Sequence, residues 1–211
     1  MYQVSVVIPN FNGKALLYDC LKTLPQSECF EIIVVDNGSD DGSIDMLNAE
    51  FPHVVKICNT DNLGFSAAVN MGIKAARAPY VVLLNNDTKV EEGFLEALQE
   101  ALDEDPRIFS ASSCMVSMKE PDIIDDTGDY YNAFGWAFTL GKGKNVKKYQ
   151  KARKVFSACG GASIYRKEVF EQIGYFDENH FAYLEDVDVG FRSQIYGYKN
   201  VYINRAVCHH V

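Results

Sequence analysis

At 211 residues, 47% of them hydrophobic, the chain is long enough to bury one substantial core, and disorder is not expected. Its formal net charge of −9 argues against a nucleic-acid partner, because phosphate backbones are held by clustered Lys and Arg. The chain has no apolar run long enough to cross a bilayer and no recognisable secretory signal, so we expect a cytoplasmic protein. The six cysteines lack zinc-type spacing and are expected to be buried free thiols.

The first half of the chain alternates short β-branched runs with segments of helical period. The predicted strands are 4–9, 32–36, 54–58 and 80–84, and the predicted helices are 15–24, 43–50, 65–76 and 91–102. Apolar strands between amphipathic helices predict an α/β fold with a mainly parallel, Rossmann-like central sheet flanked by helices. Ligands of such sheets bind beyond the carboxyl ends of the strands, so the polar residues that follow each strand should converge on one crevice.

The second half of the chain, from about Arg107, has irregular strand-like pieces rich in Gly and aromatic residues. We expect residues 107–211 to form a smaller mixed subregion that packs against residues 1–106 within a single domain. Residues 142–154 carry seven of the twenty Lys and Arg residues, which predicts a mobile surface loop or a lid over an anionic ligand or lipid. The remaining predicted elements are helices over 167–173 and 184–196 and a strand over 200–203.

A polar cluster, Asn85, Asn86 and Asp87, follows the most apolar strand and must lie at its mouth. There the carboxylate of Asp87 can bind a divalent cation that bridges two phosphates, because such a cation needs hard oxygen ligands. The alternative is a turn in which these side chains bond to their own backbone.

Three acids, Glu185, Asp186 and Asp188, begin the last predicted helix, where they favour the positive end of its dipole. Asp188 and Arg192 are spaced to pair on one helical face, one turn after Glu185. Asp186 is free of that pairing and is a candidate general base, although the spacing leaves a structural role equally open.

Two adjacent histidines, His209 and His210, follow the last predicted strand. Successive residues in extended backbone face opposite ways, so at most one of them would face a site. A neutral imidazole could complete the coordination begun by Asp87, and nitrogen ligation would suit Mn²⁺ better than Mg²⁺. A pair of surface histidines is the alternative.

The motifs, in their order, resemble the family 2 glycosyltransferases of the GT-A fold over nearly the whole chain. The resemblance is carried by VSVVIPNFNG (4–13), IVVDNGSDDGS (33–43), NLGF (62–65), NMG (70–72), LLNNDT (83–88), CGGA (159–162) and EDVD (185–188). It implies an inverting, metal-dependent sugar transferase, whose residues 1–106 bind the nucleotide-sugar and whose residues 107–211 form the acceptor side.

By position, the resemblance implies a nucleotide site that consists of Pro9, Asn10, Asp36, Asn62, Asn86 and Asp87. Asp87 and His210 would bind the divalent cation, Mn²⁺ or Mg²⁺, although a one-residue slip would choose His209. Asn85 stands where many members carry the first acid of a DxD motif, so we expect weaker metal affinity.

The resemblance also implies that Asp186 is the catalytic base and that Gly160 and Gly161 form a turn near the donor sugar. A missing side chain allows close backbone approach there. Glu185 is placed beside the donor sugar or acceptor, and Trp136 could stack on a sugar ring, or it could belong to the core.

The expected function is transfer from dTDP-rhamnose or a UDP-sugar to a glycan or lipid-linked acceptor, in the synthesis of bacterial cell-surface polysaccharide. Peripheral association with the inner face of the membrane would come from a C-terminal extension that this chain is expected to lack. The alternative is a non-catalytic nucleotide-sugar-binding or scaffold domain of a longer polypeptide. A dinucleotide oxidoreductase is disfavoured, because the turn after the first strand holds only Gly13.

Overall fold

A computed structural model describes residues 2–211 as strands and helices built around one large sheet. The strands are β1 (Val4–Asn10), β2 (Phe30–Asp36), β3 (Val55–Cys58), β4 (Tyr80–Leu84), β5 (Thr88–Val90), β6 (Ile108–Ser117), β7 (Ile124–Asp126), β8 (Asp129–Tyr131), β9 (Ala137–Thr139), β10 (Arg153–Val155), β11 (Ala162–Arg166) and β12 (Lys199–His210). The α-helices are α1 (Lys14–Thr23), α2 (Ser43–Glu50), α3 (Phe65–Ala75), α4 (Phe94–Glu104), α5 (Lys167–Ile173) and α6 (Glu185–Ile195), and a short 3₁₀ helix spans Val146–Lys148.

The central sheet has the strand order β10-β12-β6-β11-β4-β1-β2-β3. β1 pairs in parallel with β2 and β4, and β2 with β3, as the repeated strand–helix pattern predicts. β11 joins this parallel part to β6 through antiparallel pairs on both of its sides, and β6 runs parallel to β12. The prediction of an α/β fold with a mainly parallel central sheet flanked by helices is therefore confirmed, and strands of both halves belong to the same sheet.

Side-chain alternation along the strands builds one hydrophobic layer on each face of the sheet. Val6 of β1 packs in the layer that contains α1, α2 and α4, whereas Val7 packs in the layer that contains α3 and α5. Gly72 lets α3 lie directly against the sheet, because a Cβ at that position would be 2.2 Å from Cγ1 of Val7. This contact holds α3 close against β1.

Several predicted elements have different limits in the structure. The last strand, predicted over 200–203, continues to His210 because it pairs with β6 and then also with β5. Residues 142–154, predicted as a mobile surface loop or a lid, contain the 3₁₀ helix and the start of β10, and Arg153 lies over the rings of Tyr149 and Tyr202.

The six cysteines are free, but Cys29 and Cys58 are exposed, so the prediction of buried thiols is wrong for these two. Cys29 lies in the turn before β2, and Cys58 ends the edge strand β3. None of the helices within residues 2–211 is long and apolar enough to cross a membrane.

Candidate functional site

The carboxyl ends of β1, β2 and β4 bring three predicted residues into one hydrogen-bonded group. Asn10 and Asp36 are paired in the register of β1 and β2, and Nδ2 of Asn10 donates to Oδ1 of Asp36 over 2.9 Å. Nδ2 of Asn86 donates to Oδ1 of Asn10 over 2.8 Å. Ser39 closes the group, since its hydroxyl and its backbone N–H both donate to Asp36. The polar residues that follow these three strands therefore lie together at one edge of the sheet.

Asn62 lies beside this group in the loop that precedes α3. Its Oδ1 accepts hydrogen bonds from the side chain of Asn37 and from the N–H of Gly64. The rest of Asn62 is exposed, and Pro9 also keeps part of its surface accessible, whereas Asn10 and Asp36 are almost completely buried. The group thus has a buried, rigid floor and an accessible rim.

Asp87 and His210 meet where β12 pairs with β5. Nε2 of His210 lies 3.4 Å from Oδ1 of Asp87, an oxygen that is buried and has no hydrogen-bond partner among the described residues. Nδ1 of His210 lies 2.7 Å from Oδ2 of Asp125, whose other oxygen is 3.0 Å from Nζ of Lys142. The hydrogen bond to Asp125, with the nearby charge of Asp87, raises the pKa of His210 to about 9, and the same bond lowers the pKa of Asp125 to about 2.

The pair fits one end of a divalent cation site. A buried carboxylate oxygen without a partner, and the facing imidazole nitrogen once the cation has displaced its proton, are donors that Mn²⁺ or Mg²⁺ accepts. Within residues 2–211 no group of three or more His, Cys, Asp or Glu side chains is arranged to hold a metal ion. Asp87 and His210 are the two side chains that could hold a cation at this position. His209 faces the other way and contacts Glu91 at 2.9 Å, so the adjacent histidines do point to opposite sides.

A cavity of about 520 Å³ lies next to this pair. Five predicted residues line it: Gly160, Gly161, Glu185, Asp186 and His210. It is bordered by the β8–β9 hairpin and by the loop that leads into α6. In that loop Tyr183 and Leu184 have φ angles of 73° and 69°, a left-handed conformation that is costly for residues with side chains and is often found at functional sites.

Asp186 is held rigidly at the start of α6. Its Oδ2 accepts the N–H of Gly160 over 3.0 Å, and its Oδ1 accepts the N–H of Val187 over 2.8 Å. Burial raises the pKa of Asp186, and these two hydrogen bonds oppose that shift. Asp188 pairs with Arg192 on the same helix, as predicted, so Asp186 has no basic partner there.

Three further acids surround the cavity. Glu185 is 6% exposed, and its Oε2 has no hydrogen-bond partner within the described chain. Burial and the charge of Asp186 raise the pKa of Glu185 to about 7. Asp126 and Asp129 share the hydroxyl of Thr139 at 3.1 Å each, and burial raises their pKa values to about 6 and about 7. The cavity is therefore a desolvated, acidic environment.

Some expectations for the site need correction. Trp136 is 72% exposed on the β8–β9 hairpin, so it is not a core residue, and it does not line the cavity. The turn at residues 85–87 is closed by the hydroxyl of Thr88, which donates to the carbonyl of Asn85, and Asn86 bonds to Asn10 rather than to its own backbone.

Sequence reasoning missed Asp125, Asp126, Asp129 and Lys142. The first three lie in a short acidic run between residues 124 and 129, which was the available signal. A larger groove, about 820 Å³, lies beside α1 and α2, but none of the predicted site residues lines it.

Known proteins match this fold. The sequence profile described as Glycosyl transferase family 2 matches residues 5–174. The N-acetylglucosaminyl-diphospho-decaprenol L-rhamnosyltransferase of Mycobacterium tuberculosis (strain CDC 1551 / Oshkosh) is 27% identical over 205 residues, 85% of this chain and 66% of the relative. Two solved structures cover the whole chain: GalNAc-T7 with UDP, GalNAc and Mn²⁺ (TM-score 0.80, 17% identity, 44% of that chain), and mannosyltransferase PcManGT from Pyrobaculum calidifontis in complex with GDP-Man and Mn²⁺ (TM-score 0.70, 18% identity, 57% of that chain).

The chain shares its α/β fold with these two solved structures, which have GT-A-like architecture. The chain belongs to glycosyl transferase family 2, because the family's profile matches most of its length. The predicted fold and the predicted enzyme class, a glycosyltransferase, are thereby confirmed. The chain spans 66% of the rhamnosyltransferase and about half of each solved structure.

Proposed function

We propose that the chain is the catalytic part of an inverting glycosyltransferase that moves a sugar from a nucleoside-diphosphate sugar to an acceptor hydroxyl. One observation carries the proposal: the buried carboxylate of Asp186 and the imidazole of His210, which faces Asp87, line the same cavity. A base for the acceptor and a cation site for the leaving diphosphate would therefore lie together, as displacement at an anomeric carbon requires.

The nucleotide would bind at the rim formed by the ends of β1, β2 and β4. Pro9 and Asn62 keep accessible surface there for the base and ribose, whereas Asn10 and Asp36 would hold the rim in shape. Asn86, bonded to Asn10, connects this rim to the turn that carries Asp87. The nucleotide and the cation would thus occupy adjacent positions.

In the proposed reaction, Asp186 accepts the proton of the acceptor hydroxyl as the hydroxyl oxygen attacks the anomeric carbon from the face opposite the diphosphate. The carbon–oxygen bond to the diphosphate breaks, and its electron pair leaves with the diphosphate, so the configuration inverts without a covalent sugar intermediate. The raised pKa of Asp186 makes its carboxylate a stronger base than that of an exposed aspartate.

A divalent cation, Mn²⁺ or Mg²⁺, held by Asp87 and His210 would supply positive charge to the leaving diphosphate. The Mn²⁺ and nucleotide named with the two structural neighbours support this choice of cofactor. Because Asn85 is uncharged, the cation would depend strongly on diphosphate oxygens for its remaining ligands, and we expect it to bind weakly without nucleotide.

The donor and acceptor are proposed from similarity. The name of the M. tuberculosis relative supports dTDP-rhamnose as the first donor to test, before UDP-sugars, and a lipid-linked or glycan acceptor of the bacterial cell surface. Gly160, Gly161 and Glu185 line the cavity and would contact the donor sugar or the acceptor. Trp136 would contact only an acceptor that extends past the β8–β9 hairpin.

The decisive test compares Asp186→Asn with Asp188→Asn, a matched control on the same helix whose carboxylate pairs with Arg192. Release of nucleoside diphosphate is measured with each donor and Mn²⁺, and donor binding is measured by calorimetry. We expect Asp186→Asn to bind donor normally and to lose about 10²-fold or more in turnover, the usual scale for a positioned base. Near-normal turnover would refute the assignment of the base. Donor binding by the wild-type chain without any turnover would favour the scaffold alternative.

A further inference from the structure

The charge of this acidic chain is strongly segregated. Residues 130–167 contain nine Lys and Arg residues and no Asp or Glu, although the whole chain has a formal net charge of −9. Five exposed lysines lie between residues 144 and 154, and none of them forms an ion pair with an acid of the described chain. A run of exposed lysines without ion pairs, on a protein that is acidic as a whole, can attract an anionic partner.

Exposed aromatic side chains lie next to this basic segment. Phe134 and Trp136, at the turn of the β8–β9 hairpin, are 89% and 72% exposed, and Phe138 is half-exposed. The hairpin is joined to the basic segment, because the hydroxyl of Tyr130 donates to the carbonyl of Lys154. Rings this exposed are costly to leave in water, so they mark a contact surface.

The arrangement fits a lipid bilayer better than it fits the other anionic partners. Phe134 and Trp136 lie at the turn of a two-stranded hairpin, where most of each ring is exposed. Aromatic side chains with adjacent lysines are the combination that binds the interface of an anionic membrane. We call the surface formed by Phe134, Trp136, Phe138, Lys147, Lys148 and Lys154 the aromatic–basic surface.

We propose that the aromatic–basic surface docks the chain on an anionic lipid bilayer. Phe138 and its neighbours on β9 also line the cavity, so docking would bring the mouth of the cavity to the membrane. Under the proposed function, a lipid-linked acceptor could then enter from the bilayer. That consequence rests on the proposed function, but the docking itself does not.

The test is sedimentation of the 211-residue chain with vesicles of phosphatidylcholine alone or of phosphatidylcholine with 30% phosphatidylglycerol, roughly the anionic content that supports electrostatic attraction of lysines. We expect the wild-type chain to bind the anionic vesicles at least about tenfold more strongly than the neutral ones. The double variant Phe134→Ser with Trp136→Ser, and the double variant Lys147→Glu with Lys148→Glu, should each reduce that binding about tenfold or more. The control is the double variant Lys22→Glu with Lys74→Glu, which changes two exposed lysines on α1 and α3 and should bind vesicles as the wild type does.

Three outcomes would overturn the proposal. The first is that the wild-type chain binds no vesicles, and the second is that it binds neutral and anionic vesicles equally. The third is that the aromatic double variant and the Lys147–Lys148 double variant both bind anionic vesicles as strongly as the wild type. Two parallel measurements identify another occupant: light scattering would detect a dimer that Trp136→Ser dissociates, and fluorescence anisotropy would detect preferred binding of a single-stranded oligonucleotide. Because vesicle binding needs neither donor nor turnover, its failure would leave the transferase proposal intact.

Discussion

Replacement of Asp129 by Asn should stabilise the protein at pH 8, although it removes a charge and leaves the shape of the side chain unchanged. Burial, with the charges of Asp126 and Asp186, raises the pKa of Asp129 to about 7. In the unfolded chain an aspartate has a pKa near ~3.9. The folded protein therefore binds more protons than the unfolded chain between about pH 4 and pH 7, and its stability falls as the pH rises through that window.

The geometry around Thr139 leads to the same expectation. Its single hydroxyl lies 3.1 Å from both Asp126 and Asp129, so it can donate to one carboxylate but can bond to the other only by accepting a proton from it. In the Asp129→Asn variant, the side-chain amide can donate in place of that proton at every pH. A pKa raised from ~3.9 to about 7 sets an upper limit of about 4 kcal/mol on the gain in the free energy of unfolding. Because neighbouring acids share the repulsion, the expected gain at pH 8 is about 1–2 kcal/mol.

The assay is urea unfolding in the presence of a chelator at pH 5 and pH 8, followed by far-UV circular dichroism because the single Trp136 is exposed and a poor reporter of the core. The free energy of unfolding of Asp129→Asn should exceed that of the wild type at pH 8, and by roughly a third of that difference at pH 5, because at pH 5 the carboxyl is protonated in the folded protein but already ionised in the unfolded chain. Asp122→Asn, at an exposed acid before β7, is the control and should change neither value. Equal stability of Asp129→Asn and wild type at pH 8 would refute the account of the acidic cavity.

Two further predictions concern the cation pair. Asp87→Ala should abolish the Mn²⁺ dependence of UDP binding measured by calorimetry, because it removes the buried oxygen that faces His210. If Mn²⁺ still strengthened UDP binding to the variant as it does for the wild type, Asp87 would be excluded as a ligand. Asp125→Ala should weaken Mn²⁺ binding in the presence of UDP by about 10- to 100-fold, because a carboxylate bonded to a ligating histidine fixes the tautomer and orientation of its ring. Asp125→Asn keeps a hydrogen-bond acceptor and should recover part of that loss. If Asp125→Ala bound Mn²⁺ as tightly as the wild type, His210 would need no such support.

The nucleotide rim could be predicted from sequence because its geometry follows from local rules. Asn10 and Asp36 end consecutive parallel strands, and parallel strands end at the same edge of a sheet. The opposite directions of His209 and His210 follow equally simply from extended backbone. The separation of Asp186 from the Asp188–Arg192 pair follows from helical spacing.

The surroundings of the base and of His210 could not be predicted in this way. Asp125 reaches His210 only because β7 pairs with β6 and β6 pairs with β12, and neither pairing is written in a local pattern. Asp126 ends β7 and Asp129 begins the hairpin that follows, and both reach the cavity from a region without clear periodicity. Sequence distance, about 60 residues from Asp186, concealed their proximity to the base.

The central claim is that a nucleoside diphosphate and a divalent cation bind together beside Asp186. A crystal structure of the chain with UDP and Mn²⁺, with anomalous scattering recorded from the manganese, tests it most directly. We expect one anomalous peak coordinated by Oδ1 of Asp87 and Nε2 of His210, with the diphosphate oxygens bound to the same ion and the nucleobase at the rim that contains Pro9 and Asn62. A peak at other ligands, or UDP in the groove beside α1 and α2, would contradict it.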